Sequence, residues 1–168
     1  MKKLFDHTRW GLGLITFVCL VLLGSCQKND MGDDPDMVPL SDVLNNTDYA
    51  NLHLLGTTWK LVGFVDEKAG KIKLAQPYSD HSYTLVFNED GLLSGVTSTN
   101  ESSGMYSVNS EKGGEIAIVS FGPSTYINEL YDGSLFIEAM QRVVSFEISA
   151  SGLILRYGEQ LYLLFQPI

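Results

Sequence analysis

Residues 82–98 read SYTLVFNEDGLLSGVTS, and the fold turns on them. A run of aromatic and β-branched residues enters Asn88-Glu89-Asp90-Gly91, a turn whose glycine accepts positive φ, and a second apolar run leaves it. That is an antiparallel hairpin. Upstream, residues 57–66 (TTWKLVGFVD) alternate so that Trp59, Leu61, Gly63 and Val65 share one face, with Trp59 expected in the core. Downstream, strand-like runs recur at 104–109, 115–121, 144–149, 153–157 and 161–166, divided by polar or glycine-bearing turns at 110–114, 150–152 and 158–160. The period changes once. Across 132–143, Leu135, Phe136, Ala139, Met140 and Val143 fall on one helical face, with Asp132 or Ser134 as the expected cap. The expected fold is α+β, mainly β: a small antiparallel curved sheet or partly open β-barrel of about seven or eight strands, with one helix packed on it.

The chain has 168 residues, 45% of them apolar and 11% aromatic, enough for one modest domain and too many large apolar side chains for general disorder. Eleven Lys and Arg stand against 20 Asp and Glu, a charge of -9 with the bases scattered. No basic stripe exists to meet a phosphate backbone, so nucleic acid is not an expected partner. The two cysteines, Cys19 and Cys26, both lie in the first 26 residues. Everything after them lacks a disulfide, a thiolate metal site and a cysteine nucleophile.

Lys2, Lys3 and Arg9 precede an uncharged apolar run over residues 10–23, the charged and apolar regions of an export signal. The run is shorter than the roughly 20 residues that cross a bilayer. It ends in Leu23-Gly24-Ser25-Cys26, which resembles the lipobox of bacterial lipoproteins: an aliphatic residue, two small ones, then cysteine. That resemblance implies cleavage after residue 25 and a diacylglycerol thioether on Cys26, which makes the membrane a partner through a lipid anchor. Cys19 is then an incidental small hydrophobe in the leader. Removing residues 1–25 takes away three bases and one acid, leaving 8 against 19 and a mature charge of about -11. Such a surface is repelled by anionic head groups, so the lipid alone is expected to hold it at the bilayer. Residues 27–48 carry six aspartates and two prolines, and the span 26–51 is expected to be a flexible acidic tether. A coil of roughly 22 residues reaches about 25 Å. The acids after Cys26 also resemble the surface-export signals of Bacteroidetes lipoproteins. The expected location is the cell envelope, as an outer-membrane lipoprotein facing the periplasm or the cell surface.

Over residues 52–168 the landmarks run Leu54-x-Gly56-Thr57-x-Trp59, Leu85-x-Phe87 before Asp90-Gly91, Gly95-x-x-Ser98-Thr99-Asn100-x-x-x-Gly104-x-Tyr106, a helix with Phe136 and Met140, and a last strand ending Leu163-Leu164-Phe165. This order resembles the META domain, also called the HslJ-like domain. Its most specific part is the Gly, Asn, Gly, Tyr spacing. The family's central motif usually has glycine and cysteine where Ser98 and Thr99 stand, so any thiol role among its members is absent here. The resemblance implies a small β-rich envelope domain, often in lipoproteins, in a family connected with stress, antibiotic resistance and secretion, and it brings no catalytic residues. Asn100, Gly104 and Tyr106 are the candidate binding residues. Read as local structure, Gly95 and Gly104 suit a bulge or bend, Asn100 bonds its own backbone or turns left-handed, and Tyr106 covers the loop.

A search for chemistry finds little. Asp80-His81-Ser82 holds triad residue types, but sequence neighbours do not converge on one reacting atom, and the run reads as a polar turn. His53 and His81 make a poor zinc pair. Glu129 and Glu138, which flank the helix, and Glu147 in the next strand are the acids from which a carboxylate pair of glycosidase type could be drawn. No phosphate loop, nucleophile elbow or dinucleotide fingerprint occurs. The expectation is a non-enzyme without cofactor or metal, a lipid-anchored envelope accessory protein that binds an envelope protein or small ligand, with a role in envelope stress. The alternative is a lipocalin-like carrier with an apolar ligand inside the barrel, to which Gly56-x-x-Trp59 bears a loose likeness.

Overall fold

The computed structural model describes residues 34–110 and 113–168; the leader, Cys19 and Cys26 lie outside them. Its elements in chain order are β1 (Met37–Pro39), a 3-10 turn (Leu40–Asp42), β2 (Thr58–Asp66), β3 (Lys71–Leu74), β4 (Thr84–Phe87), β5 (Leu92–Val96), β6 (Glu101–Val108), β7 (Gly113–Pro123), α1 (Gly133–Gln141), β8 (Ser145–Ser149), β9 (Gly152–Arg156) and β10 (Leu161–Pro167). Eight strands form a closed antiparallel barrel in the order β2-β10-β9-β8-β7-β6-β5-β4, and β4 returns to β2. β2 makes closure possible by dividing its length: Thr58–Lys60 pair with β4, and Gly63–Asp66 pair with β3. The sheet is therefore neither open nor partly open. The opening hairpin forms as its residues dictate, with Gly91 at φ +77 and the Asp90 carboxylate accepting from Leu92 N–H at 3.1 Å.

Fully buried Trp59, Phe64, Leu85, Phe87 and Phe165 fill the interior. α1 packs against β7, whose ladder to β8 ends at Glu115, and it sends Phe136 and Met140 into the same cluster. Phe136 meets Tyr83 and Phe121 edge-on, with centroids 5.5 and 5.6 Å apart. The helix is shorter than the expected 132–143. Asp132 occupies its N-cap position, but its side chain makes no cap hydrogen bond.

The expected single face of β2 is corrected by a register shift. Leu164 pairs with Gly63 and Phe165 with Leu61, so Val62 is the extra residue of a bulge. The bulge inverts the alternation: Trp59, Leu61 and Phe64 join the interior cluster, while Val65 turns outward to Ile72, Tyr162 and Leu164. This outer stripe needs a cover, and residues 38–43 supply it with Val38, Leu40 and Val43. β1 pairs with β3 in the register Met37 to Lys73. Part of the segment expected to be a flexible tether is thus sheet and cladding, because three apolar side chains among its acids suffice to bury a stripe that the bulge has exposed.

Candidate functional site

The turn Thr97–Asn100, between β5 and β6, opens onto the long connection 124–132 that leads into α1. Asn100 is wholly buried. Its amide oxygen accepts from Thr125 Oγ1 at 2.6 Å and Ile127 N–H at 3.1 Å, and its Nδ2 donates to Ile127 C=O at 2.7 Å and Glu129 Oε1 at 2.6 Å. The Glu129 carboxylate also accepts from Thr97 Oγ1 at 2.7 and 2.8 Å and from Ser98 Oγ at 2.8 Å. Thr99 Oγ1 takes the Leu130 N–H at 3.3 Å. The local bonding expected of Asn100 belongs instead to Thr97, whose Oγ1 accepts the Asn100 N–H at 3.0 Å. Asn100 works across space, clamping a loop 27 residues away.

The same end of the barrel carries a second fastening. Asp132 accepts from Lys73 Nζ at 2.5 Å and from Gln76 N–H at 2.8 Å, while its own N–H donates to Gln76 C=O at 3.2 Å. This is why Asp132 does not cap α1: its carboxylate ties the helix start to the chain leaving β3. Tyr83, buried and at φ +54, donates its hydroxyl to Gln76 C=O. Burial pushes its phenol pKa up to about 12, so the hydroxyl stays a donor. Lys60 Nζ donates to the carbonyls of Ser79 and Ser82; burial lowers its pKa, and Asp80 opposes the shift. Asp80-His81-Ser82 is a turn: Ser82 Oγ donates to Pro77 C=O at 3.0 Å and Ser79 C=O at 3.2 Å.

The clamps fix the loop's orientation. Its polar groups at 127, 129 and 130 turn inward, and its apolar side chains turn out: Tyr126 is fully exposed, Tyr131 72%, Ile127 60% and Leu130 56%, with Tyr78 on the neighbouring connection at 75%. Gly133 completes the junction. A Cβ there would lie 2.2 Å from Glu129 Oε2 and 2.4 Å from Ser98 Oγ.

The structure does not bring Asn100, Gly104 and Tyr106 to one place. Gly104 lies inside β6, where a Cβ would meet Ser120 O at 2.0 Å; it permits close strand approach next to the register shift at Met105/Tyr106. Tyr106 lies toward the other end, stacked edge-on with Phe87 at 4.9 Å and donating to Asn88 C=O at 2.7 Å. It braces the opening hairpin rather than its own loop. Of the three glutamates, Glu129 is committed to the clamp, while Glu138 on α1 and Glu147 on β8 are exposed. Among the described residues, no group of three His, Cys, Asp or Glu is placed to hold a metal, and no helix is long and apolar enough to cross a membrane. Sequence reasoning missed Glu129's role and the outward-facing loop. The available signal was a turn, Thr97-Ser98-Thr99-Asn100, with more hydrogen-bonding side chains than a turn consumes.

Two further features face solvent. Where β7 has parted from β8, an open depression of about 690 Å³ is lined by Ile118–Ser124, Ser103 and Gln141, whose Nε2 donates to Phe121 C=O at 3.2 Å. Tyr106 lines another of about 430 Å³ with Leu55, Glu89 and Val108.

No protein-family model matches the chain, and no curated protein matches it. Among solved structures, the crystal structure of a DUF4847 family protein from Bacteroides vulgatus is similar, at 16% identity and a TM-score of 0.48, covering 67% of this chain and 92% of that one.

Proposed function

We propose that this chain is a lipid-anchored envelope protein whose META/HslJ-like domain acts as a binding accessory from its outer surface. The observation that carries the reading is the filled barrel: Trp59, Phe64, Leu85, Phe87, Phe136 and Phe165 occupy the interior with essentially no exposure. A carrier of lipocalin type holds its ligand in an interior space of several hundred Å³, and these side chains stand where that ligand would be. Recognition therefore falls to the outside. The depression beside β7 and α1, at about 690 Å³, is of ligand-binding size and is lined by the strand's own backbone and small polar side chains. The lipobox-like Leu23-Gly24-Ser25-Cys26 supports the address, and the acidic balance of the chain argues against nucleic acid, which leaves an envelope protein or small ligand as the proposed partner.

Cys26→Ala tests the address. The variant should leave the membrane fraction and appear with the soluble envelope proteins; continued sedimentation with membranes contradicts the reading.

A further inference from the structure

We infer that the end of the barrel carrying residues 126–131 rests on the membrane in which the chain is anchored, its tyrosines and aliphatic side chains seated among zwitterionic, amine-bearing phospholipid head groups. The inference deepens the anchor reading and rests on it.

The first observation is where the chain enters. β1 begins at Met37, opposite Lys73, after a turn in which Met37 N–H donates to Asp34 C=O at 3.2 Å, so the described chain starts at the end of β1 that lies beside Lys73. Lys73 is fastened to the loop: it and Gln76 both bond Asp132. The incoming chain thus reaches the domain at the end that exposes Tyr78, Tyr126, Ile127, Leu130 and Tyr131.

The second is length. Only eight residue steps separate Cys26 from Asp34, the first described residue. Fully extended they span at most about 28 Å, and as a coil about 16 Å. A domain of this size has a radius of gyration of roughly 14 Å, hence a diameter of more than 30 Å. Such a leash keeps the end of the body it enters within about 28 Å of the surface, closer than the body's own diameter.

The third is the loop's own chemistry. A loop normally resists a low-dielectric boundary because its backbone groups lose their water. Here the Ile127 N–H and C=O are both bonded to Asn100, and Leu130 N–H and C=O to Thr99 and Ser98. Of the exposed side chains in 126–131, Tyr126, Ile127, Leu130 and Tyr131 are apolar or phenolic, and Asn128 is polar but uncharged. Tyrosine is the side chain that settles at the head-group level, ring toward the acyl chains and hydroxyl toward water. The acids Asp30, Asp33 and Asp34 in the leash, with Asp36 just after it, select against anionic lipid and leave zwitterionic lipid as the favourable surface. The expectation that only the acyl chains contact the bilayer is accordingly extended by an uncharged contact.

The test uses the full lipoprotein with Tyr126→Trp, a site exposed enough to take an indole without repacking, reconstituted through its own anchor into vesicles of phosphatidylcholine and phosphatidylethanolamine. Trp59 is buried and supplies a constant background. The introduced indole should shift to the blue, lose quenching by aqueous iodide, and gain quenching by lipids labelled near the head group, relative to the same variant made soluble by Cys26→Ala. Adding Ile127→Ser and Leu130→Ser should restore iodide access. Flotation with the vesicles while the indole stays open to iodide overturns the docking alone. Failure to float removes the anchor and the docking together. Protection in native envelope membranes but not in protein-free vesicles assigns the patch to a protein and overturns the lipid as its occupant.

Discussion

Asn100 spends four hydrogen bonds on residues 125–129, all from a position with no solvent access. Truncating it strands the Ile127 backbone pair and leaves Glu129 one donor short. Asn100→Ala is therefore expected to cost about 2–4 kcal/mol. The check is the denaturant midpoint, together with limited proteolysis: cleavage within 124–132 should accelerate. An unchanged midpoint and an uncut loop would show that the clamp holds without Asn100. The motif around Asn100 was legible as a motif, but its purpose was not. Its partners come 25 to 29 residues later, after two more strands, and nothing local marks Glu129 as different from Glu138 or Glu147. Tyr106 misled in the same way, since its bond to Asn88 C=O crosses from β6 back to the β4–β5 turn.

All eight barrel strands announce themselves as short apolar alternations between turn residues, and α1 by its change of period. These signals are local, and local signals survive in sequence. Three things depended on pairing across the sheet and did not. Closure rests on β2 serving two neighbours at once. The inversion at Val62 rests on a register shift against β10. β3, four residues reading KIKL, is too short and too basic to stand out until β2 and β1 flank it. β1 is hidden further by the acids around it, which dominate the composition although Val38, Leu40 and Val43 do the covering. The outer stripe gives this element a direct test. Val38→Asp sets a carboxylate against Val65, Ile72, Tyr162 and Leu164, and should cost about 1–3 kcal/mol at pH 7, with the loss smaller at pH 3 where the new acid is neutral. Equal midpoints for variant and parent at pH 7 would show that β1 carries no weight in the fold.

At the scale of the molecule, the parts combine into a packed barrel whose interior is filled by its own side chains. With β1 paired to β3, eight residue steps remain between Cys26 and the first described residue, at most about 28 Å of extended chain. On the proposed reading, the open depression beside β7 receives a ligand or partner, and the clamped loop 124–132 meets the bilayer. The bilayer contact depends on the chain being attached at Cys26. The mass of the N-terminal fragment of the mature protein purified from membranes tests that most directly. The account predicts a chain that begins at Cys26 and carries a diacylglyceryl thioether. A mature chain that begins elsewhere, or begins at Cys26 with an unmodified thiol, would contradict it.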